Sequence, residues 1–350
     1  MRRSALGLTA ALAVLLGAVA PPGSLRLAAA GLRCEIEHVD RIVAVGDVHG
    51  AYDRLVEIMR TAGLIDTRLQ WSGGKAHFVQ LGDVLDRGPD SRKTIDFLRR
   101  LQDDARRAGG AVHVLLGNHE AMRMLGDMRY TQPEEYQAFT TARSEQVRQS
   151  FLALVPQEQR DQLAKDTPLG YIEMRQAFGR KGSYGEWLRT LDVAIKINGV
   201  LFVHGGISPA IASLSCDDLN RRARRELTED EEKTRADPSH SLVAGDDGPL
   251  WYRGLAQEPE AFAPQVDEIL NKQHARAIVI GHTVTPEARI RVRFGGTVLQ
   301  IDTGMQPVYV ERGRASALDV QKETFSAIYT DRRDVLPTPS VAPESAPAPK

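Results

Sequence analysis

Five short apolar runs, each meeting glycine at its end, set the rhythm of this chain. Ile42-Val43-Ala44-Val45 leads into Gly46-Asp47-Val48-His49-Gly50, and Phe78-Val79-Gln80-Leu81 leads into Gly82-Asp83-Val84-Leu85-Asp86-Arg87-Gly88. Val112-His113-Val114-Leu115-Leu116 leads into Gly117-Asn118-His119-Glu120. Further on, Val200-Leu201-Phe202-Val203 ends in His204-Gly205-Gly206, and Ala277 to Ile280 ends in Gly281-His282-Thr283. Runs this short, with little polar alternation, predict strands buried on both faces. Between the first three the period changes to that of a helix. Tyr52, Leu55, Val56 and Met59 recur at helical spacing before Gly63. Asp90 and Ser91 are placed to cap a second helix, which carries Ile95, Leu98, Leu101 and Ala105 and stops at Gly109-Gly110. The order β-α-β-α-β predicts a parallel sheet covered by helices.

From Met122 to about Ser183 the apolar positions thin out among polar ones, and a mostly helical insertion beside the site is expected. It serves either as plain packing or as a wall for a substrate. Strands resume at Val193 to Ile197, where Asn198-Gly199 is a strong two-residue hairpin signal. Asn220 to His240 is rich in charge and reads as a solvated helix or loop. Ile290 to Phe294 and Thr297 to Ile301 flank Gly295-Gly296 as another hairpin, and short strands follow to Tyr329. Pro337, Pro339, Pro343, Pro347 and Pro349 mark a disordered tail over residues 331–350. There is no internal repeat.

Composition changes this picture at the ends. The chain has 350 residues, 42% hydrophobic and 26% charged, enough for a substantial core, and its formal net charge is -1. Without a basic excess, nucleic acid is not expected as a partner. In residues 1–30, Arg2 and Arg3 precede an apolar run from Ala5 to Ala20, then Pro21-Pro22 and the small residues Ala28-Ala29-Ala30. That is the order of a secretory signal peptide. The run is shorter than the ~20 residues of a spanning helix, so cleavage is expected and not a membrane anchor. Arg33 before Cys34 does not fit a lipid-attachment site. The expected domain is 40–330, in the periplasm or secreted. In an exported chain Cys34 and Cys216 could pair; otherwise they are two small buried residues, and both readings stay open.

The chemistry lies at the strand ends, where open α/β sheets place their sites. Asp47 and His49 share one loop, Asp83 follows the second strand, Asn118 the third, and His204 and His282 two later ones. Two carboxylates, three imidazoles and an amide oxygen suit two ions of Mn, Fe or Zn sharing a carboxylate, the arrangement that clamps both oxygens of a phosphoryl transfer. The other histidines, apart from His119, read as ordinary core or surface residues.

These blocks, in this order from about Arg41 to Thr303, resemble the signatures of the phosphoprotein phosphatases within the calcineurin-like metallophosphoesterases. The run Gly126-Asp127-Met128-Arg129-Tyr130 and the block from Leu201 to Ser208 are similar to the Shewanella-like, bacterial-type branch. The resemblance implies an α/β fold of two mixed sheets flanked by helices. It also implies that Asp47, His49 and Asp83 hold one metal, and that Asp83, Asn118, His204 and His282 hold the other. A metal-activated hydroxide would be the nucleophile, Arg87 and Arg253 would grip phosphate, and His119 would be the general acid with Asp86 holding its ring. Alone, Arg253 would read as a surface ion pair. Glu120 is read as structural. Where eukaryotic members carry a tyrosine-containing loop, this chain has Ile301-Asp302-Thr303-Gly304-Met305, so strict phosphoserine and phosphothreonine preference does not carry over. The implied substrate is a phosphorylated protein. The rivals are a nucleotide or dinucleotide polyphosphate hydrolase and a metal-bound binding protein without catalysis. Oligomeric state is not readable from the chain.

Overall fold

The computed structural model describes residues 34–337; the leader and the last residues of the expected tail lie outside them. In chain order the first half contains β1 (Glu35–Ile36), β2 (Arg41–Val45), α1 (Tyr52–Thr61), β3 (His77–Gln80), α2 (Ser91–Arg107), β4 (Ala111–Val114) and α3 (Asn118–Leu125). Next come α4 (Pro133–Gln137), α5 (Ser144–Leu152), α6 (Gln157–Asp166), α7 (Tyr171–Phe178) and α8 (Ser183–Leu188). The second half adds β5 (Ala194–Ile197), β6 (Val200–Val203), α9 (Cys216–Glu226), β7 (Ala277–Ile280), β8 (Arg291–Arg293), β9 (Val298–Gln300), β10 (Ser316–Gln321), β11 (Thr324–Tyr329) and β12 (Arg333–Val335).

The strands form two mixed six-stranded sheets, ordered β12-β11-β10-β2-β3-β4 and β1-β5-β6-β7-β9-β8. Within the first, β2, β3 and β4 run parallel; within the second, β6, β7 and β9 do. The apolar runs explain the layering. Side chains alternate across a strand, so Ile42 and Ala44 of β2 join Val79, Ile195, Phe202, Val279 and Leu299 in a cluster drawn from both sheets. Val43 and Val45 join Leu55, Met59, Ile95 and Leu98 under the helices. A strand buried on both faces has no polar face to alternate, hence its continuous apolar run. Each large side chain so buried contributes about 1.5–3 kcal/mol before the entropy of ordering is counted. The Asn198-Gly199 hairpin has positive φ at both positions, 50° and 73°, and the register Ile197↔Val200.

Two boundaries differ from the expected 40–330. β1 begins at Glu35, where a two-residue parallel edge on β5 is too short to leave a periodic signal. At the other end Arg333–Val335 pairs with β11, so the segment expected as tail from 331 starts as an edge strand. Its ordering comes partly from Arg333 Nη1, 2.7 Å from the buried Asp319 carboxylate, a contact no apolar pattern announces. Asp90 sits at the N-cap of α2 but makes no side-chain cap bond. Cys34 and Cys216 form a disulfide, with Cα atoms 5.8 Å apart, tying the first residue of the fold to the start of α9. A link across 182 positions restricts the unfolded chain strongly, and such bonds typically contribute about 2–4 kcal/mol. Among the described residues no helix is long and apolar enough to cross a membrane.

Candidate metal centre

The carboxyl ends of β2, β3, β4, β6 and β7 converge. The loops leaving them turn abruptly, with positive φ at His49 (48°), Asp83 (54°), Asp86 (67°), Arg87 (64°) and His282 (62°). Left-handed conformations at non-glycine residues each cost of order 1–3 kcal/mol and persist only where surrounding structure enforces them. Glu120 is one enforcer. Its Oε2 accepts the Asp83 and Gly117 N–H groups, each at 2.8 Å, and its Oε1 accepts those of Val84 (2.9 Å) and Leu85 (3.1 Å). Four buried backbone donors thus close on one carboxylate, which accounts for the conformation of the Asp83 turn. Gly82 (φ 92°) and Gly117 complete the close approach, since a Cβ on Gly82 would strike the Gly117 backbone and one on Gly117 would strike Asp83.

Asp83 is the hub. Its Oδ1 accepts the His119 N–H at 3.0 Å. Its Oδ2 lies 3.4 Å from His204 Nε2, 3.7 Å from His49 Nε2 and 3.8 Å from His119 Nε2. His49 and His204 donate Nδ1–H to the Leu85 and Leu81 carbonyls, at 2.9 and 2.8 Å, which turns each Nε2 inward. His204 Nε2 faces Asn118 Oδ1 at 3.0 Å and Asp83 Oδ2 at 3.4 Å. The His282 Nε2 is buried with no partner among the described residues. Asp47 accepts the His282 N–H at 2.9 Å, and its Oδ2 is 3.9 Å from His49 Nε2. Carboxylate oxygens, an amide oxygen and ring nitrogens crowded together are the arrangement a cation resolves, so this set of side chains fits metal ions. Among the described residues two groups have ligand spacing, His49-Asp83-His119 and Asp83-His204-His282, and they share Asp83.

The imidazoles divide by protonation. Burial pushes His49 down to about 4 and His282 well below the ordinary value, keeping both neutral. His119 goes the other way. Burial opposes the charge, but Asp83 and the hydrogen bond from Nδ1 to Asp86 Oδ2, 2.7 Å, raise its pKa. A protonated imidazole suits a proton donor better than a ligand.

Arg87 makes no side-chain hydrogen bond among the described residues, and its Nε is buried without a partner. Its guanidinium lies between two rings, 4.3 Å from the Tyr130 centroid and 3.9 Å from that of Tyr309. Arg253 Nη1 donates to His282 O (3.0 Å) and Thr283 Oγ1 (2.9 Å), which holds it beside the His282 turn. All ten residues singled out in the sequence are thus brought together. Others were missed. Tyr309 reaches the site from the loop after Met305, and Asp302 is buried against Asp47 at the end of β9, its pKa pushed up to about 6 by burial. Ile301-Asp302 repeats the pattern of an apolar run followed by an acid, which is the signal that would have found it. Of the remaining histidines, His77 and His113 hydrogen-bond to each other on β3 and β4, away from this cluster.

A family model described as calcineurin-like phosphoesterase matches residues 40–286. Shewanella-like protein phosphatase 1 of Plasmodium berghei is 28% identical over 269 residues, covering 76% of this chain and 67% of its own length. Shewanella-like protein phosphatase 2 of Arabidopsis thaliana is 27% identical over 321 residues, covering 85% and 80%. Among solved structures, the cold-active protein-tyrosine phosphatase of a psychrophilic Shewanella species superimposes with a TM-score of 0.68 at 29% identity, covering 86% of this chain and 82% of that one.

Proposed function

This chain belongs to the calcineurin-like phosphoesterase family and is a metallophosphoesterase, and on that footing we propose that it removes phosphate from phosphorylated proteins, phosphotyrosine included. The observation that carries the reading is the ring of carboxylate, amide and imidazole atoms about Asp83, with a guanidinium, Arg87, that makes no hydrogen bond among the described residues. Asp47, His49 and Asp83 would hold one metal, and Asp83, Asn118, His204 and His282 the other. Mn, Fe and Zn all suit this mixture of nitrogen and oxygen donors. When bound, the metals supply an activated water and offset the charge of the phosphate. The chain's own residues do the rest. Arg87, pre-oriented between Tyr130 and Tyr309, and Arg253, with one nitrogen already committed to His282 O, bind the non-bridging phosphate oxygens through charge-assisted hydrogen bonds. His119 keeps Nδ1–H on Asp86 and directs Nε2 into the site, where it gives its proton to the leaving oxygen. The names of the similar proteins support a phosphoprotein as substrate, tyrosine among its targets.

Kinetics on matched phosphoserine, phosphothreonine and phosphotyrosine peptides, with a dinucleotide polyphosphate beside them, test the substrate class. The expected result is kcat/KM at least about tenfold higher on one or more phosphopeptides, a margin worth ~1.4 kcal/mol. A higher value on the dinucleotide overturns the phosphoprotein reading. We propose further that the protein works in the periplasm or outside the cell, a reading the Cys34–Cys216 disulfide supports. Mass spectrometry of the mature protein is expected to find an N-terminus near Gly31; an intact Met1 terminus in the cytoplasm contradicts it.

A further inference from the structure

We infer that Arg123 and Glu135 form a buried clamp that positions Asp86, and through it His119, so that the inserted helices set the geometry of proton donation. The inference rests on His119 being the proton donor of the preceding reading. His119 and Arg123 stand four apart on α3 and so share one face of it. They divide one carboxylate between them: His119 Nδ1 bonds Asp86 Oδ2, and Arg123 Nη2 bonds Oδ1. Thr131 Oγ1 donates to the same Oδ1 at 3.0 Å, and the Asp86 N–H is taken by Ser91 Oγ at 3.1 Å. Each oxygen of Asp86 is therefore spoken for, and the carboxylate has no freedom to turn away from the ring.

Arg123 is itself fixed from the insertion. Its Nη2 lies 3.2 Å from Glu135 Oε2 and 3.1 Å from Thr131 Oγ1, its Nη1 is 3.1 Å from Met174 Sδ, and its guanidinium sits 5.0 Å from the Phe178 ring. Glu135 does two things at once, since its Oε1 accepts the Gln132 N–H at the start of α4 (3.1 Å). Arg123, Asp86 and Glu135 are all at least 98% buried. A charge placed between Met122 and Met124, where an apolar side chain would pack without desolvation, needs a reason beyond stability. Holding the Asp86–His119 pair in one orientation is such a reason, because a proton donor displaced by about 1 Å can lose roughly 10²-fold in rate.

The test compares Arg123→Met and Arg123→Lys, in the native protein and in a His119→Ala background, on a phosphoserine peptide and on nitrophenyl phosphate. The peptide leaves as an alkoxide and needs the proton; nitrophenolate needs it little. Arg123→Met, shown folded by circular dichroism and carrying unchanged metal, is expected to lose about 10–100-fold in kcat on the peptide, with KM within about threefold and a much smaller loss on nitrophenyl phosphate. Arg123→Lys, which keeps the charge but not the fork, is expected to recover part of that loss. In the His119→Ala background neither substitution costs anything more, because both act through one group. Equal losses on the two substrates, a loss confined to KM, or an added loss without His119 overturns the clamp. If the Met variant does not fold, the Lys variant decides by the same criteria, with about 3–10-fold expected on the peptide. A His119→Ala protein that slows both substrates equally removes the acid reading and the clamp with it. If His119→Ala discriminates and the Arg123 variants do not, the clamp alone falls.

Discussion

Asp83→Asn is expected to lower turnover of any phosphate monoester by at least about 10³-fold while leaving the protein folded. Asparagine is the informative choice. The backbone at position 83 has φ 54°, a conformation Asn tolerates better than most residues. The amide oxygen can still accept the His119 N–H that Asp83 Oδ1 takes now. What changes is the other atom. In place of Oδ2, an NH₂ group would point at the Nε2 atoms of His204 and His49, 3.4 and 3.7 Å away. It can hydrogen-bond one of them but cannot bridge two cations, and the site loses a full negative charge. Metal ions contribute several kcal/mol of transition-state stabilisation, and each ~1.4 kcal/mol is tenfold in rate, so losing the bridge accounts for about 10³-fold or more. Circular dichroism checks the fold and steady-state rates check the loss. Activity within tenfold of native would mean that Asp83 is not the shared ligand.

His119→Ala is expected to separate binding from chemistry. The Nδ1 of His119 is on Asp86 and its Nε2 is 3.8 Å from Asp83 Oδ2, near the cluster but held by a carboxylate and not by a backbone carbonyl as His49 and His204 are. That difference in partner is the physical ground for a different role. The variant should keep its metals and lose roughly 10²–10⁴-fold on alkyl phosphates, the usual span of general acid catalysis, with a smaller loss on nitrophenyl phosphate. Metal content and the two rates are the measurements. Metal loss would make His119 a ligand, in line with its place beside His49 and Asp83.

Most of the site was legible because a doubly covered strand writes an uninterrupted apolar run, and the residue after it is then conspicuous. Asp47, Asp83, His204 and His282 stand out for this reason, while Asn118 follows an edge strand, β4, whose run His113 interrupts. The elements that were not legible lack that contrast. β1 has two residues and β12 has three, with Arg333 and Asp334 in a short edge strand. The pairing of Cys34 with Cys216 depends on a distance that no spacing encodes. Tyr309 reaches Arg87 from an irregular loop, and Arg123 is a lone charge inside an apolar helical stretch whose partners, Asp86 and Glu135, lie 37 and 12 residues away. Its isolation between Met122 and Met124 was the available hint. Residues whose roles come from long-range partners need the fold before they can be read.

The central claim is a shared two-metal centre on Asp83, and elemental analysis of the purified protein alongside its turnover tests it most directly. The account predicts two metal ions per chain in the native protein, activity that disappears as a chelator removes them and returns at least in part with Mn²⁺, and at most one ion in Asp83→Asn. Full turnover by a protein shown to be free of metal would contradict it.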